Sequence, residues 1–337
     1  MANMGCKKRL NTKKMTTKKN KKLISLIIPV FNEEENIGPL YDAVVPIIKQ
    51  HENQYDFELI VTDNHSTDST FRILNELRER DRRVRVFRFS RNFGYQKSIL
   101  TGYLKARGDA LIQLDCDLQD PPELITEFLK HWEDGCAVVY GVRRSRKEGA
   151  VLHYARKLFY RLADYLSDDD LPVDVGDFRL IDKKVADVLR QVDDAQPYLR
   201  GMIAAMGFRQ HGIPYDRHNR ERGTSNFRFK DLVGLAIDGI LNHSIVPLRM
   251  ATFFGVGISI VTILAIIGYS LSKLFFGVNW PAGFTTLAVL VLAGISVNAL
   301  FLGIIGEYLG RIYQQVKKRP LVIIESALDD ENMRGIH

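Results

Sequence analysis

Between residues 23 and 114, short apolar runs alternate with longer segments whose apolar positions recur at helical spacing. Leu26-Ile27-Ile28-Pro29-Val30 is a continuous apolar run of strand length, and beyond the polar Asn32-Glu33-Glu34-Glu35-Asn36 a helical stretch extends through Lys49. Strand-like segments follow at 57–61, 84–89 and 110–114, with helix-like segments at 69–80 and 96–106 between them. This rhythm predicts an α/β domain, a Rossmann-like, mostly parallel sheet with helices on both faces.

The pattern changes near residue 250. From Met250 to Ser272 there are 23 consecutive uncharged residues, and from Leu274 to Gly306 another 33. Each exceeds the roughly 20 residues that carry a helix across a hydrocarbon core. The second run opens with Asn279, Trp280, Pro281 and Gly283, which suit an interfacial connector, so spans are expected at 250–272 and 284–306 with a short loop at 273–283. Arg249 precedes the first run and Arg311, Lys317, Lys318 and Arg319 follow the second, whereas the connector has only Lys273. That asymmetry predicts an integral membrane protein, of the plasma or inner membrane, with both termini cytoplasmic. Residues 153–166 and 230–242 read as amphipathic helices. The first fits a membrane interface or an ordinary sheet-packed surface equally, and the second forms, within 230–249, the linker to the spans.

Charge alters the picture by its placement. The formal net charge is +7, but nine Lys and Arg lie in residues 1–22, without an acid, and the other 315 residues carry −2. A basic tail on a near-neutral remainder is not the charged folded face of a nucleic-acid binder. It marks a flexible segment at 1–22, ahead of a folded domain at 23–229. Three cysteines make neither a disulfide frame nor a zinc site. No apolar h-region precedes residue 23, so no secretory signal peptide is expected.

In open α/β sheets, ligands bind beyond the carboxyl ends of the strands. The residues there are Asn32 and Glu33, Asp63 and Asn64, Arg91 and Asn92, and Asp115, Asp117 and Gln119. No glycine-rich dinucleotide or Walker-type phosphate loop is present. Asp115-Cys116-Asp117 at i, i+2 in extended chain directs two carboxylates to one side, a pair that suits Mg²⁺ or Mn²⁺ completed by substrate phosphate and water. Arginines, which bind phosphate through a planar fork, are frequent in the second half of the domain: Arg143, Arg144, Arg156, Arg179, Arg217, Arg220 and Arg222.

SLIIPVFNEEENI (25–37), LIVTDNHSTDST (59–70), RNFGYQKSILTGYLKARGD (91–109), LIQLDCDLQDPPELI (111–125) and VDVGDFRLID (173–182) resemble, in order and spacing, the family 2 glycosyltransferases of GT-A fold. Within that family they are most similar to the polyprenyl-phosphate group, which includes dolichyl-phosphate mannose synthases and bactoprenol glucosyltransferases. The resemblance covers roughly residues 23–249, and the expected two-helix tail fits the bactoprenol branch. It implies an inverting transfer of one sugar from a nucleotide-sugar, a UDP-sugar by preference, to a polyprenyl phosphate, with membrane lipid as surroundings and a homo-oligomer as an option.

It further implies that Asp115, Asp117 and Gln119 hold the metal, and that Pro29, Glu33, Asp63, Arg91 and Asp115 line the nucleotide-sugar site. Asp177, in Gly176-Asp177-Phe178-Arg179, matches the family's base, although it could equally orient the sugar or an arginine. Arg143, Arg179, Arg220 and Ser225 are expected at the acceptor phosphate. The last two lie in a loop resembling R-x-x-G-x-S-K-Y, with Asn226 where lysine is usual. A second departure is Asp63-Asn64-His65-Ser66, where the family commonly reads Asp-Asp-Gly-Ser. Two other functions remain open at this point. One is a non-catalytic scaffold of the same fold, which the second departure favours, and the other is a processive polysaccharide synthase, which lacks support because no Q-x-x-R-W motif occurs.

Overall fold

The computed structural model describes residues 21–144, 175–217 and 283–329, with scattered positions between 253 and 275. Residues 1–20 of the tail expected at 1–22, both amphipathic helices (153–166 and 230–242), most of the first span, Arg156, Arg220, Arg222 and Ser225 lie outside the described residues, while Lys22 belongs to a strand rather than to the tail.

Five strands alternating with four helices open the domain: β1 (Lys22–Val30), α1 (Ile37–His51), β2 (Tyr55–Asp63), α2 (Thr70–Arg80), β3 (Val84–Phe89), α3 (Tyr95–Lys105), β4 (Ala110–Gln113), α4 (Leu124–Glu133) and β5 (Val138–Arg143). Then follow β6 (Val175–Asp182), α5 (Lys183–Leu189), α6 (Leu199–Ala205), β7 (Gln210–Tyr215), α7 (Phe284–Val316) and β8 (Ile324–Leu328). All eight strands join one sheet in the order β7-β5-β6-β4-β1-β2-β3-β8. β1 is central and, apart from Lys22 and Ser25, apolar, because from Ile24 onward it is buried on both faces. Leu26 and Ile28 point into a core shared with α1, α2 and α4, while Ile27 points into a second core with α3, α5 and α6.

The sheet is mixed rather than uniformly parallel. β4-β1-β2-β3 is parallel, but β6 runs antiparallel to both β4 and β5, and β8 runs antiparallel to β3. The reversal at β6 matters for the site. Gln113 pairs with Arg179, so the start of β6, including Asp177, lies beside the end of β4, from which Asp115 and Asp117 emerge. β5 ends at the same rim, with Val142 opposite Val175 and Arg143 opposite Tyr215 of β7.

β8 lies in 307–337, the segment after the second expected span, where the sequence pattern predicts no strand and a cytoplasmic tail is expected. Its pairing with β3 is reinforced by a buried charge network in which Arg85 donates to Glu58 at 2.7 Å and to Asp329 at 2.8 Å. α7 covers 284–306, the segment of the second expected span, and continues to Val316. Most of its described apolar side chains, among them Leu287, Leu290, Val291, Ile295 and Leu302, are exposed, while Val297, Phe301 and Ile304 are half-buried. Among the described residues no helix is long and apolar enough to cross a membrane. Most of 251–282 and several side chains between 284 and 300 fall outside that description.

Candidate active site

Acids and arginines collect at the rim where β1, β2, β4, β5 and β7 end and β6 begins. Three of its loops turn through left-handed backbone at non-glycine residues, Asn32 (φ 56°), His65 (φ 65°) and Leu118 (φ 54°). Such positions cost on the order of 1–3 kcal/mol each and persist where neighbours over-determine them. The neighbours are visible: the Asn32 N–H donates to Ser66 Oγ at 2.9 Å, and the Thr67 N–H donates to Asn32 Oδ1 at 2.8 Å, tying the loop after β1 to the loop after β2. The Glu33 N–H donates to Thr70 Oγ1, and the Glu33 carboxylate accepts from Asn36 Nδ2 at 2.6 Å. Pro29 lies in β1 opposite Thr62, one residue short of Asp63.

Asp63 is fully buried. Its Oδ1 accepts from the Ser66 N–H at 2.9 Å, while Oδ2 has no hydrogen-bond partner among the described residues, the nearest cation being Arg88 Nε at 3.8 Å. A buried carboxylate oxygen left in this state is an acceptor awaiting a donor. The departure at Asn64-His65 is accommodated locally. Asn64 Oδ1 accepts from the Phe93 N–H at 2.8 Å and so fixes the loop that carries Arg91, and His65 Nδ1 lies 3.0 Å from Phe89 O. Arg91 itself is exposed and rests over the Phe93 ring, 4.1 Å from its centroid.

The acidic group is the densest feature. Asp115 Oδ1 accepts from Tyr95 Oη at 2.5 Å and from Gln113 Nε2 at 2.7 Å. Burial, with further push from Asp120, Asp177 and Asp117, raises its carboxyl to about 6, against the opposing pull of the Tyr95 hydrogen bond. Cys116 points the other way into the core, and burial pushes its thiol up. Asp117 Oδ1 accepts from the Gln119 N–H at 3.2 Å. Among the described residues no three His, Cys, Asp or Glu side chains form a metal cage. Two carboxylates side by side, with the charge of Asp115 already disfavoured by burial and its acidic neighbours, are instead an environment a hard divalent cation relieves, with phosphate and water filling its shell. The donor set fits Mg²⁺ or Mn²⁺.

Around the acids stand arginines, three of which, Arg143, Arg200 and Arg217, are tied to a carboxylate. Asp120, almost wholly buried, is approached by Arg143 Nη2 and Arg217 Nε, both at 3.4 Å, and accepts a short hydrogen bond from Tyr215 Oη. Asp177, 6% exposed, receives a two-pronged contact from Arg200, with Nε to Oδ1 at 3.0 Å and Nη2 to Oδ2 at 2.7 Å. Gln96 Nε2 adds a contact at 3.4 Å, and Gln96 Oε1 accepts from the Leu199 N–H at the start of α6. Burial works against the Asp177 charge, but Arg200, Arg179 and Gln96 together hold its carboxyl below the usual range. Arg179 is 4% exposed and donates to Gly176 O at 2.9 Å, which places it beneath the site rather than on its surface.

The structure therefore brings Asp63, Asp115, Asp117, Gln119, Asp177 and Arg143 to one rim and sets Arg179 under it. Tyr95, Gln96, Gln113, Asp120, Arg200 and Tyr215 were not singled out from sequence. Asp120 was the most accessible of them, standing three residues after Asp117 in the quoted motif; Arg200 lies outside every motif.

Residues 25–190 match the family described as Glycosyl transferase family 2. The chain is 38% identical over 311 residues to an uncharacterized glycosyltransferase, YkcC, of Bacillus subtilis (strain 168), covering 92% of this chain and 95% of that protein. It is 34% identical over 305 residues to the SfII prophage-derived bactoprenol glucosyl transferase of Shigella flexneri, covering 90% and 98% respectively. Among solved structures, glucosyl-3-phosphoglycerate synthase from Mycobacterium tuberculosis in complex with Mn²⁺, uridine-diphosphate-glucose and phosphoglyceric acid aligns with a TM-score of 0.44 and 21% identity, over 65% of this chain and 78% of that one.

Proposed function

The chain belongs to glycosyl transferase family 2, and we propose that it moves one sugar from a nucleotide-sugar, a UDP-sugar in the first instance, onto a polyprenyl phosphate at a membrane surface. The observation that carries this is the meeting, on one sheet rim, of Asp115 and Asp117 with the arginines Arg143, Arg200 and Arg217. Similarity over 90% of the chain to a bactoprenol glucosyl transferase supports the choice of acceptor.

The transfer joins two anions, and the residues divide the work. Asp63, with its unpartnered buried Oδ2, and the loop held by Asn32 and Glu33 receive the nucleoside. Asp115, Asp117 and Gln119 would hold a divalent cation, which when bound neutralises charge on the leaving diphosphate. An acceptor phosphate oxygen forms the new bond to the anomeric carbon as the bond from that carbon to the donor's diphosphate oxygen breaks, its electron pair leaving with the nucleoside diphosphate. The anomeric configuration inverts. Because the attacking oxygen is already anionic near neutral pH, no proton has to be removed from it, and the arginines supply the attraction that brings the anions together.

Two spans at 250–272 and 284–306 would keep the rim at the bilayer, where the acceptor's phosphate resides. Membranes containing the full chain, incubated with Mg²⁺ and a panel of radiolabelled nucleotide sugars, are expected to place label in organic-extractable lipid for one donor. Absence of lipid label with every donor would refute the proposal and favour a scaffold without turnover.

A further inference from the structure

We propose that Arg200 is a phosphate-binding residue of the transfer reaction and that Asp177 is its positioning residue rather than a base. The inference rests on the transfer proposed above and assigns to it a residue that no motif in the sequence marks.

Geometry decides the role of Asp177. A base must offer a free oxygen to the group it deprotonates, within hydrogen-bond reach. Both oxygens of Asp177 are engaged by the Arg200 fork at 3.0 and 2.7 Å, Oδ2 also faces Gln96, and the side chain is 6% exposed. Such a carboxylate fixes a guanidinium in direction and rotation. The arginine it fixes is 37% exposed at the rim. Its third nitrogen, Nη1, donates to nothing among the described residues, so one corner of the guanidinium stays available to a ligand.

Charge agrees with geometry. Arg179, buried on the same face of β6 two residues away, also stabilises the Asp177 carboxylate. One carboxylate between two guanidinium groups leaves a surplus positive charge, and only Arg200 presents it outward. The spot lies close to the acids, because Tyr95, whose hydroxyl donates to Asp115, also feels the Arg200 charge. An anion drawn there would sit between the acidic pair and α6. Its chemistry is a phosphate oxygen, which could come from the donor diphosphate or from the acceptor monophosphate.

The local fold supplies rigidity. Gln96, on the first turn of α3, binds the carboxylate with its nitrogen and the Leu199 N–H with its oxygen, so α3, β6 and α6 meet at a single side chain. Arg200 follows Leu199 directly and is aimed by it.

The test uses the full chain in maltoside micelles, which carry no phosphorus, with Mn²⁺-free inorganic phosphate and Mg²⁺-pyrophosphate as probes titrated by ³¹P NMR. Arg200→Ala is expected to weaken one of the two at least fivefold and leave the other within twofold, and the affected anion identifies the source. Arg200→Lys is expected to recover only part of the loss, since an ammonium keeps the charge without the fork. In turnover, Asp177→Asn is expected to retain measurable rate with the acidic limb of the pH profile unmoved, and 50 mM guanidinium, on the order of a rescue concentration for a weakly held cation, to restore part of the Arg200→Ala rate. Unchanged affinity of Arg200→Ala for both anions would overturn the proposal, as would disappearance of the acidic limb in Asp177→Asn. Failure of the proposed acceptor reads differently: wild type would bind the anions yet label no lipid.

Discussion

At the residue scale, the site is a set of acidic side chains each held in place by one or more neighbours. Tyr95 and Gln113 steady Asp115, Tyr215 steadies Asp120, and Asn64 steadies the loop of Arg91. The sequence made the acids legible because Asp115 and Asp117 stand in a recognisable motif at strand spacing. Their partners are less legible: Tyr95 and Gln96, although inside the 91–109 segment, meet the acids only once the fold brings α3 to the rim, and Arg200 comes from α6, outside every motif. His65 illustrates a departure with a physical solution. Its left-handed φ of 65° explains why glycine suits that position, and the contact of Nδ1 with Phe89 O offsets the strain. Releasing roughly 1 kcal/mol of strain while losing a hydrogen bond of about the same worth should nearly cancel. His65→Gly is therefore expected to keep unfolding free energy within about 1 kcal/mol of wild type in a denaturant titration, with turnover preserved. A second expectation concerns acid. Asp177 titrates below its ordinary range in the folded chain, so its contribution to stability is complete above the unfolded carboxylate value and fades as pH falls through the folded one. Asp177→Asn should be less stable than wild type at pH 7, and the gap should narrow toward pH 2; a gap constant with pH would contradict it.

At the scale of elements, the alternating first half was read closely from its apolar periods, since β1 to β4 are short continuous runs separated by amphipathic helices. The antiparallel additions were not, because pairing direction leaves no mark on a strand's own composition. β8 was missed for the same reason, its five residues gaining their place from Val86, Phe87 and the Arg85 network rather than from a strong pattern of their own. α7 joins the domain at a second place. Gln315 bonds to Asp193 O and to the Ala195 N–H, Gln314 to Gln196, and Arg311 Nη1 to Gln196 Oε1 at 3.3 Å. This seam grips the loop that runs into α6 and Arg200. With exposed hydrogen bonds worth about 0.5–1.5 kcal/mol each, the double variant Gln314→Ala, Gln315→Ala is expected to lower turnover several-fold while leaving the protein's melting temperature within a few degrees. Equal turnover would show the seam to be passive.

At the scale of the whole molecule, β8 sets a topological condition. The strand pairs with β3 of the domain that precedes both long apolar runs, so if the chain enters a membrane between residues 217 and 324 it crosses an even number of times. Two crossings satisfy this and agree with the positive flanks at Arg249, Arg311, Lys317, Lys318 and Arg319. A cysteine placed at Asn279 should then react with an impermeant maleimide from the side opposite the catalytic domain, and one at Glu325 should not. The net charge of +7 also takes on a different meaning at this scale. Nine of the cations stand in residues 1–22, the last of them, Lys22, opening β1, and the rim's positive charge comes from arginines of the near-neutral remainder.

The most direct measurement is the intact mass of the lipid formed when the full chain, in membranes with Mg²⁺ and its preferred nucleotide sugar, is supplied with undecaprenyl phosphate. The expected product is heavier than the acceptor by one sugar residue, retains a single phosphate, and is absent for Asp117→Asn under the same conditions. A lipid carrying two phosphates or a growing sugar chain, or equal product from Asp117→Asn, would contradict the transfer proposed here.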